Sequence, residues 1–306
     1  MRYRRLPRAD LTVSEVGLGA WTLGVGWEGE SDEREALALV RAALDAGVTL
    51  VDSSDRPRAQ ELVGRACAGR EEAVVHAVTV PADPAGLAGA CAAAAERLGA
   101  APGIVQLAEP PLTMLRSRDL ADAVGELVGA GRAGCVGVRL GGRAAAVRAA
   151  RAALAVPAVT SIALPYNLLE PEPAAGLAGE ALAAGTALIA LSPLASGMLE
   201  GKYTAGTVFP PGDRRRDRPE GWLRDGLRAV EELRFLARDR PRTLGQAALK
   251  WVLCGPAVAS AVPGAYALAQ VEELAAAPDL DDLDPSELER VDELRAGGAL
   301  SPAAAS

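Results

Sequence analysis

The sequence predicts an α/β protein: a parallel, eight-stranded (β/α)8 TIM barrel with an N-terminal cap and extra helices at its C-terminal end. Three observations predict it. Eight short apolar runs alternate with runs of helical period along 306 residues. The apolar runs are continuous, as strands covered on both faces must be. No G-x-G-x-x-G follows the first strand, so an open dinucleotide-binding sheet lacks its signature. A barrel of this kind takes about 250 residues and leaves room for insertions here.

Residues 13–19 read as a strand ending in glycine. Residues 32–46 read as a helix: Leu37, Val40 and Leu44 share a face, Asp32 can cap it and Gly47 ends it. Strand 48–51, helix 59–68 and strand 73–80 follow, then an alanine-rich helix over 84–98 and strand 104–107. Helix 119–128 leads to strand 135–140, helix 143–153 to strand 160–164, and helix 174–184 to strand 187–191. A long loop rich in Gly, Pro and Arg spans 192–220. Helices 223–238 and 244–253 precede the last strand, 259–262, and helices 268–276 and 285–294 close the chain. One domain is expected over residues 1–296, with a disordered tail from 297 to 306.

Half of the residues are hydrophobic, 24% are charged and the net charge is −8. A sizeable core is therefore available, and the negative field argues against nucleic acid or an anionic membrane as partner. A small molecule is the expected partner, and the oligomeric state is left open. The opening MRYRRLPRADLTV lacks the apolar stretch of a signal peptide. No run of about 18 apolar residues is free of charges or breaks, so a cytoplasmic location is expected. One histidine, His76, and four scattered cysteines, Cys67, Cys91, Cys135 and Cys254, make no metal-ligand spacing, so no metal site is expected. Strand alternation puts His76 opposite Val75, Ala77 and Thr79, packed under a helix.

Several segments carry a family resemblance: MRYRRLPRADLTVSEVGLGAWTLG, LVRAALDAGVTLVDSSD, GRAGCVGV, PYNLLEP, LSPLASGMLEGKY and TLGQAALKWVLCGPAVASAVPGA. In this order they resemble bacterial aldo-keto reductases along almost the whole chain. The resemblance implies a barrel with a nicotinamide cofactor, usually NADPH, lying across its mouth and reducing aldehydes or ketones. It implies a tyrosine as proton donor, helped by a lysine and a histidine, with an aspartate holding the lysine. Asp52 matches the aspartate. Pro57 stands at the tyrosine position, ahead of Glu61–Gly64, and the chain has no tyrosine between Tyr3 and Tyr166. Thr79 stands where the lysine belongs, and Ala108 where the histidine belongs.

The resemblance places Arg139 and Leu140 at the family's Ser-Asn that grips the carboxamide. Ala163 stands for its glutamine and Leu191 for its stacking aromatic. More matches on the phosphate side: Ser192-Pro193-Leu194, Gly201-Lys202, Pro263-Gly264-Ala265 and Gln270. Tyr266 replaces the arginine that pairs with the 2′-phosphate, and it cannot form that bidentate pair. Ser192, Leu194, Lys202, Gly264 and Gln270 are thus expected as a vestigial cofactor-binding set. No cofactor is expected to be required, with NADPH as the alternative.

Functional residues of a barrel sit at the C-terminal ends of its strands. There the sequence places Trp21, Asp52, Thr79, Ala108, Arg139, Pro165, Ser192 and Pro263. Asp52 and Glu109 are the candidate acid/base pair, and Arg139 the candidate holder of a carboxylate, phosphate or enolate. Trp21, Ser54, Arg56 and Thr79 are the candidate substrate contacts. Asp52 has a second reading, as a capping or salt-bridged residue. Asp55, Arg58 and the charged run 213–217 read as solvated faces, and Trp27 as packing. Three functions stay open: a redox-independent lyase, dehydratase, isomerase or cyclase; a residual NADPH-dependent oxidoreductase; and a non-catalytic binding protein.

Overall fold

Short apolar segments that must be buried on both faces have one economical solution, a parallel sheet closed on itself inside a ring of helices. The computed structural model, which describes residues 1–23, 32–141 and 144–300, has this architecture. A hairpin of β1 (Tyr3–Arg5) and β2 (Thr12–Ser14) precedes the barrel strand β3 (Leu18–Gly19). Then come α1 (Glu33–Asp45), β4 (Leu50–Ser54), α2 (Pro57–Cys67), β5 (Val75–Pro81), α3 (Leu87–Leu98) and β6 (Ile104–Ala108). The next elements are α4 (Leu112–Leu115), α5 (Arg118–Gly129), β7 (Cys135–Arg139), α6 (Ala144–Leu154), β8 (Val159–Pro165), α7 (Ala174–Ala184) and β9 (Ala187–Leu191). The chain ends through α8 (Trp222–Leu233), α9 (Leu244–Leu253), β10 (Val258–Val262), α10 (Leu268–Ala275) and α11 (Pro285–Ala296).

Strands β3 to β10 pair in parallel in sequence order. The ring closes where Gly17 N donates to Ala261 O at 2.8 Å and Gly19 N to Pro263 O at 2.7 Å. The sequence reads residues 13–19 as one strand, and the structure corrects this. Two strands share that run: Val13 pairs with Arg4 in the hairpin, whereas Leu18 pairs with Val51 in the barrel. Glu15 lies between them, buried and paired with Arg4 at 2.7 Å. Capping follows the sequence in α1, where the Asp32 carboxylate accepts from Arg34 N. In α11 the Asp284 and Glu287 side chains form a reciprocal capping box.

Alternation along each strand sorts the core into two layers. Val51, Val78, Val105, Leu107, Val136, Val138, Ile162, Leu164 and Leu188 face the helices. Leu50, Ala77, Ile104, Cys135, Ala163, Ala187, Ile189 and Leu191 face the barrel axis, where Leu6 and Val13 of the hairpin region plug the base. Gly137 belongs to this inner wall because a Cβ there would lie 2.3 Å from Ser161 Oγ. Of the expected tail, residues 297–300 are described and Leu300 is buried in the helix layer; residues 301–306 lie outside the described ones.

His76 is buried on the helix-facing side of β5, and neither ring nitrogen has a hydrogen-bond partner. Burial pushes its pKa down from 6.5 to about 4, with Glu71 acting weakly the other way. An unfolded chain takes up this proton near pH 6.5, whereas the folded chain resists it until about pH 4. The unfolded state therefore binds more protons in that window. This contribution to stability is present above it and is lost as pH falls through it. We expect denaturant unfolding of the parent protein to lose about 2–3 kcal/mol more than His76→Leu between pH 7 and pH 4. Identical pH profiles for the two would show that His76 is not held neutral by the fold.

Candidate functional site

The C-terminal ends of the strands open into a cavity of about 850 Å³. Its walls include Trp21, Ser54, Arg56, Thr79, Glu109, Arg139 and Ser192 from the barrel side, and Arg215, Asp217 and Arg218 from the long loop after β9. Six described residues other than glycine have positive φ. Four of them, Ser54 (56°), Glu109 (38°), Ser192 (48°) and Ser196 (58°), line this cavity. Such backbone is costly and gathers where the surrounding structure enforces it for a purpose.

Asp52 is fully buried at the floor and does not line the cavity. Its Oδ2 accepts from Arg139 Nη1 at 2.9 Å, and its Oδ1 from Ser54 N at 2.8 Å. The salt-bridged reading of Asp52 is thus the one that the geometry favours. Arg139 Nη1 also donates to Gln106 Oε1 at 3.4 Å, and the guanidinium lies 5.6 Å from the centre of the Trp21 ring. The Trp21 indole folds back over Gly19, where a Cβ would lie 2.3 Å from it. The rest of the Arg139 head faces the cavity. Glu109 is exposed at the rim, and its backbone N–H donates to Arg139 O at 2.8 Å. The structure therefore brings Arg139 and Glu109 to the cavity wall and leaves Asp52 beneath it. The expected Asp52–Glu109 acid/base couple is not assembled as two cavity-facing carboxylates.

Thr79 lines the cavity, and its Oγ1 is buried with no partner. Ser54 and Arg56 also line it, Arg56 with Asp55 at 3.7 Å. Arg58 stays on the exposed surface with Glu33 and Glu61. Trp27 lies outside the described residues. None of the described residues that line the cavity is tyrosine, lysine or histidine.

The charged run 213–217 is not simply solvated. Arg215 is buried and clasps the fully buried Asp213 with Nε and Nη2. Its Nη1 donates to Tyr203 Oη at 2.7 Å, and its head lies 4.7 Å from the Phe209 ring centre. Tyr203 Oη in turn donates to Ser196 O at 2.7 Å. Arg218 donates to Ser196 Oγ at 2.6 Å and stacks 5.4 Å from Trp222. These contacts fold the loop over the mouth. Arg215, Arg218 and Asp217 escape local sequence reading, because nothing in an R-R-R-D run says which side chain turns inward.

Two of the five expected cofactor-binding residues, Lys202 and Gln270, meet at Glu200. Lys202 Nζ donates to Glu200 Oε2 at 2.6 Å and Gln270 Nε2 to Glu200 Oε1 at 2.9 Å, while Gln270 Oε1 accepts from Tyr266 N. The Glu200 carboxylate holds the Lys202 ammonium charged beyond the usual lysine range. That charge is already matched and offers little to a further phosphate. Leu194 is buried in the core, and Gly264 bridges to Gly19 at the closure of the barrel. At the other end Leu191 lines the cavity with an apolar side chain and Arg139 with N–H donors, while Ala163 is enclosed in the barrel core. The side chains at Leu191 and Tyr266 thus differ from those that the resemblance implies for a nicotinamide dinucleotide. Among the described residues no group of His, Cys, Asp or Glu could hold a metal ion, and no described helix is long and apolar enough to cross a membrane.

Comparison with known proteins bears on the frame around this site. The profile of the Aldo/keto reductase family matches residues 15–296. Aldo-keto reductase YhdN of Bacillus subtilis is 26% identical over 294 residues, covering 90% of this chain and 88% of that protein. Among solved structures, a glycerol dehydrogenase from Gluconobacter oxydans superposes with a TM-score of 0.82 at 23% identity, covering 99% of this chain and 98% of that one. An aldo/keto reductase from Klebsiella pneumoniae, solved in complex with NADP and acetate, superposes with a TM-score of 0.72 at 25% identity, covering 93% and 92%. The family match runs from the end of the plugging hairpin through the last helix and takes in every barrel strand. The chain therefore belongs to the aldo/keto reductase family.

Proposed function

We propose that this family member performs redox-independent chemistry on a small organic molecule at the barrel mouth: a dehydration, isomerisation, other lyase reaction or ring closure driven by proton transfer. The observation that carries the reading is the Asp52–Arg139 pair at the floor, in a cavity whose described walls hold no tyrosine, lysine or histidine. A guanidinium stays protonated and so cannot serve as the proton donor of a carbonyl reduction. In this reading Arg139 offers its remaining N–H groups to a substrate oxygen. Asp52 is a positioning residue that fixes the guanidinium plane. Glu109, on strained backbone at the rim, accepts and returns the proton. The open cavity speaks against a filled, purely structural barrel.

A second reading is an NADPH-dependent oxidoreductase. It is favoured by the family and by the Klebsiella relative solved with NADP. Titration with NADPH and NADH, followed by fluorescence and calorimetry, separates the two. We expect no saturable binding at millimolar nicotinamide and no loss of nicotinamide absorbance with aldehydes or ketones. Tight binding with hydride transfer to a carbonyl would overturn the redox-independent reading.

A further inference from the structure

The mouth is rich in arginine, yet its arginines are all matched. Arg139 faces Asp52 at 2.9 Å, Arg56 faces Asp55 at 3.7 Å, Arg215 clasps Asp213, and Arg218 lies 3.6 Å from Glu170. The carboxylates that line the cavity are matched differently. Asp55 has Arg56, but the side chains of Glu109 and Asp217 have no ion pair or hydrogen bond among the described residues. Among the described lining residues the unbalanced charge is therefore negative, although their count alone reads as an anion site. A second feature points the same way, towards a ligand with polar groups. Thr79 is 93% enclosed and lines the cavity, and its hydroxyl has no partner. A buried hydroxyl left unmatched is costly, and Thr79 borders the space that a ligand would fill.

We infer that the mouth takes a small organic molecule that carries a basic nitrogen, its ammonium drawn by Glu109 and Asp217 and a second polar group meeting Thr79. The argument is one of differential charge. A carboxylate or phosphate entering here meets guanidinium groups already neutralised at close range, plus two unmatched carboxylates of its own sign. An ammonium meets those two carboxylates in a concave site where solvent screening is reduced. The Asp217 contribution comes from the long loop and the Glu109 contribution from the β6 end, so the two approach from opposite parts of the chain. The inference names the substrate class of the site proposed above and rests on that reading of the mouth.

The test uses the full chain and three probes of matched size: benzylamine, benzyl alcohol and benzoate. Affinities are measured by calorimetry and ligand-observed NMR at low ionic strength. Benzylamine is expected to bind about tenfold more tightly than benzyl alcohol, with benzoate weakest. In a Glu109→Gln/Asp217→Asn double variant that advantage falls to about twofold or less. Both positions are exposed, so thermal unfolding of the variant checks that the fold is kept. Benzoate binding as well as the amine, an amine affinity unmoved by the double variant, or no saturable amine binding to about 10 mM would each overturn the inference. The nicotinamide titration, run on the same samples, reads the other proposal separately. Hydride transfer alongside amine selectivity would remove the redox-independent reading and leave the substrate class standing.

Discussion

An Arg139→Met variant is expected to unfold about 3–5 kcal/mol more easily than the parent protein, and Asp52→Asn to cost markedly less. The asymmetry follows from burial. Asp52 is wholly enclosed, and without Arg139 its carboxylate keeps only the Ser54 N–H as a partner among the described residues. A stranded charge of that kind carries most of its desolvation penalty uncompensated. Arg139 keeps contact with the cavity, so the loss of Asp52 leaves a guanidinium that water can reach. The double variant Asp52→Asn/Arg139→Met should recover much of the loss, and chemical denaturation of the four proteins closes the cycle. Equal single costs that simply add in the double variant would show that the two groups do not act as a pair.

The second large effect is local. Arg215→Met should release the loop between β9 and α8 while leaving the barrel folded. Asp213 is fully buried, and Arg215 is the cation that clasps it. The same side chain reaches Tyr203 and stacks on Phe209, so one substitution removes the ion pair, a hydrogen bond and an aromatic contact together. With the penalty of a stranded buried carboxylate at about 3 kcal/mol or more, the opened form of the loop becomes on the order of a hundred times more populated. Limited trypsin digestion at Arg214–Arg218 reads this directly, and global thermal unfolding should move far less. Unchanged cleavage would mean that Tyr203, Phe209 and Trp222 hold the loop without the ion pair.

These two residues also mark where sequence reading reaches its limit. The barrel is legible because its signals are local: continuous apolar runs such as Val136–Val138, the Asp32 cap, the Gly47 stop. Trp21, Thr79, Glu109 and Arg139 are legible as residues of the cavity wall because barrel topology dictates which strand ends meet at the mouth. The Asp52–Arg139 bond is not local, since its partners stand 87 residues apart and no spacing rule joins them. Arg215 misleads for the opposite reason. It sits in a charged run whose ordinary fate is exposure, and only the carboxylate two residues earlier draws it inward. The split of residues 13–19 into hairpin and barrel strands is hidden because both parts are extended and only three residues separate them.

The plugged base has a kinetic consequence. The hairpin that stoppers the barrel is held by Arg4 Nη1 on Val258 O, a bond across 254 residues, and Met1 N meets Asp279 across 278. Residues of the hairpin are thus committed to partners more than 250 residues further along the chain. During synthesis β3 must wait, unpaired on its outer edge, until β10 emerges, and its two residues offer few hydrogen bonds to speed the meeting. Closure of this seam comes late because its loop entropy is met before any contact rewards it. The junction of β3 and β10 is accordingly where the ring is completed last and where its opening begins.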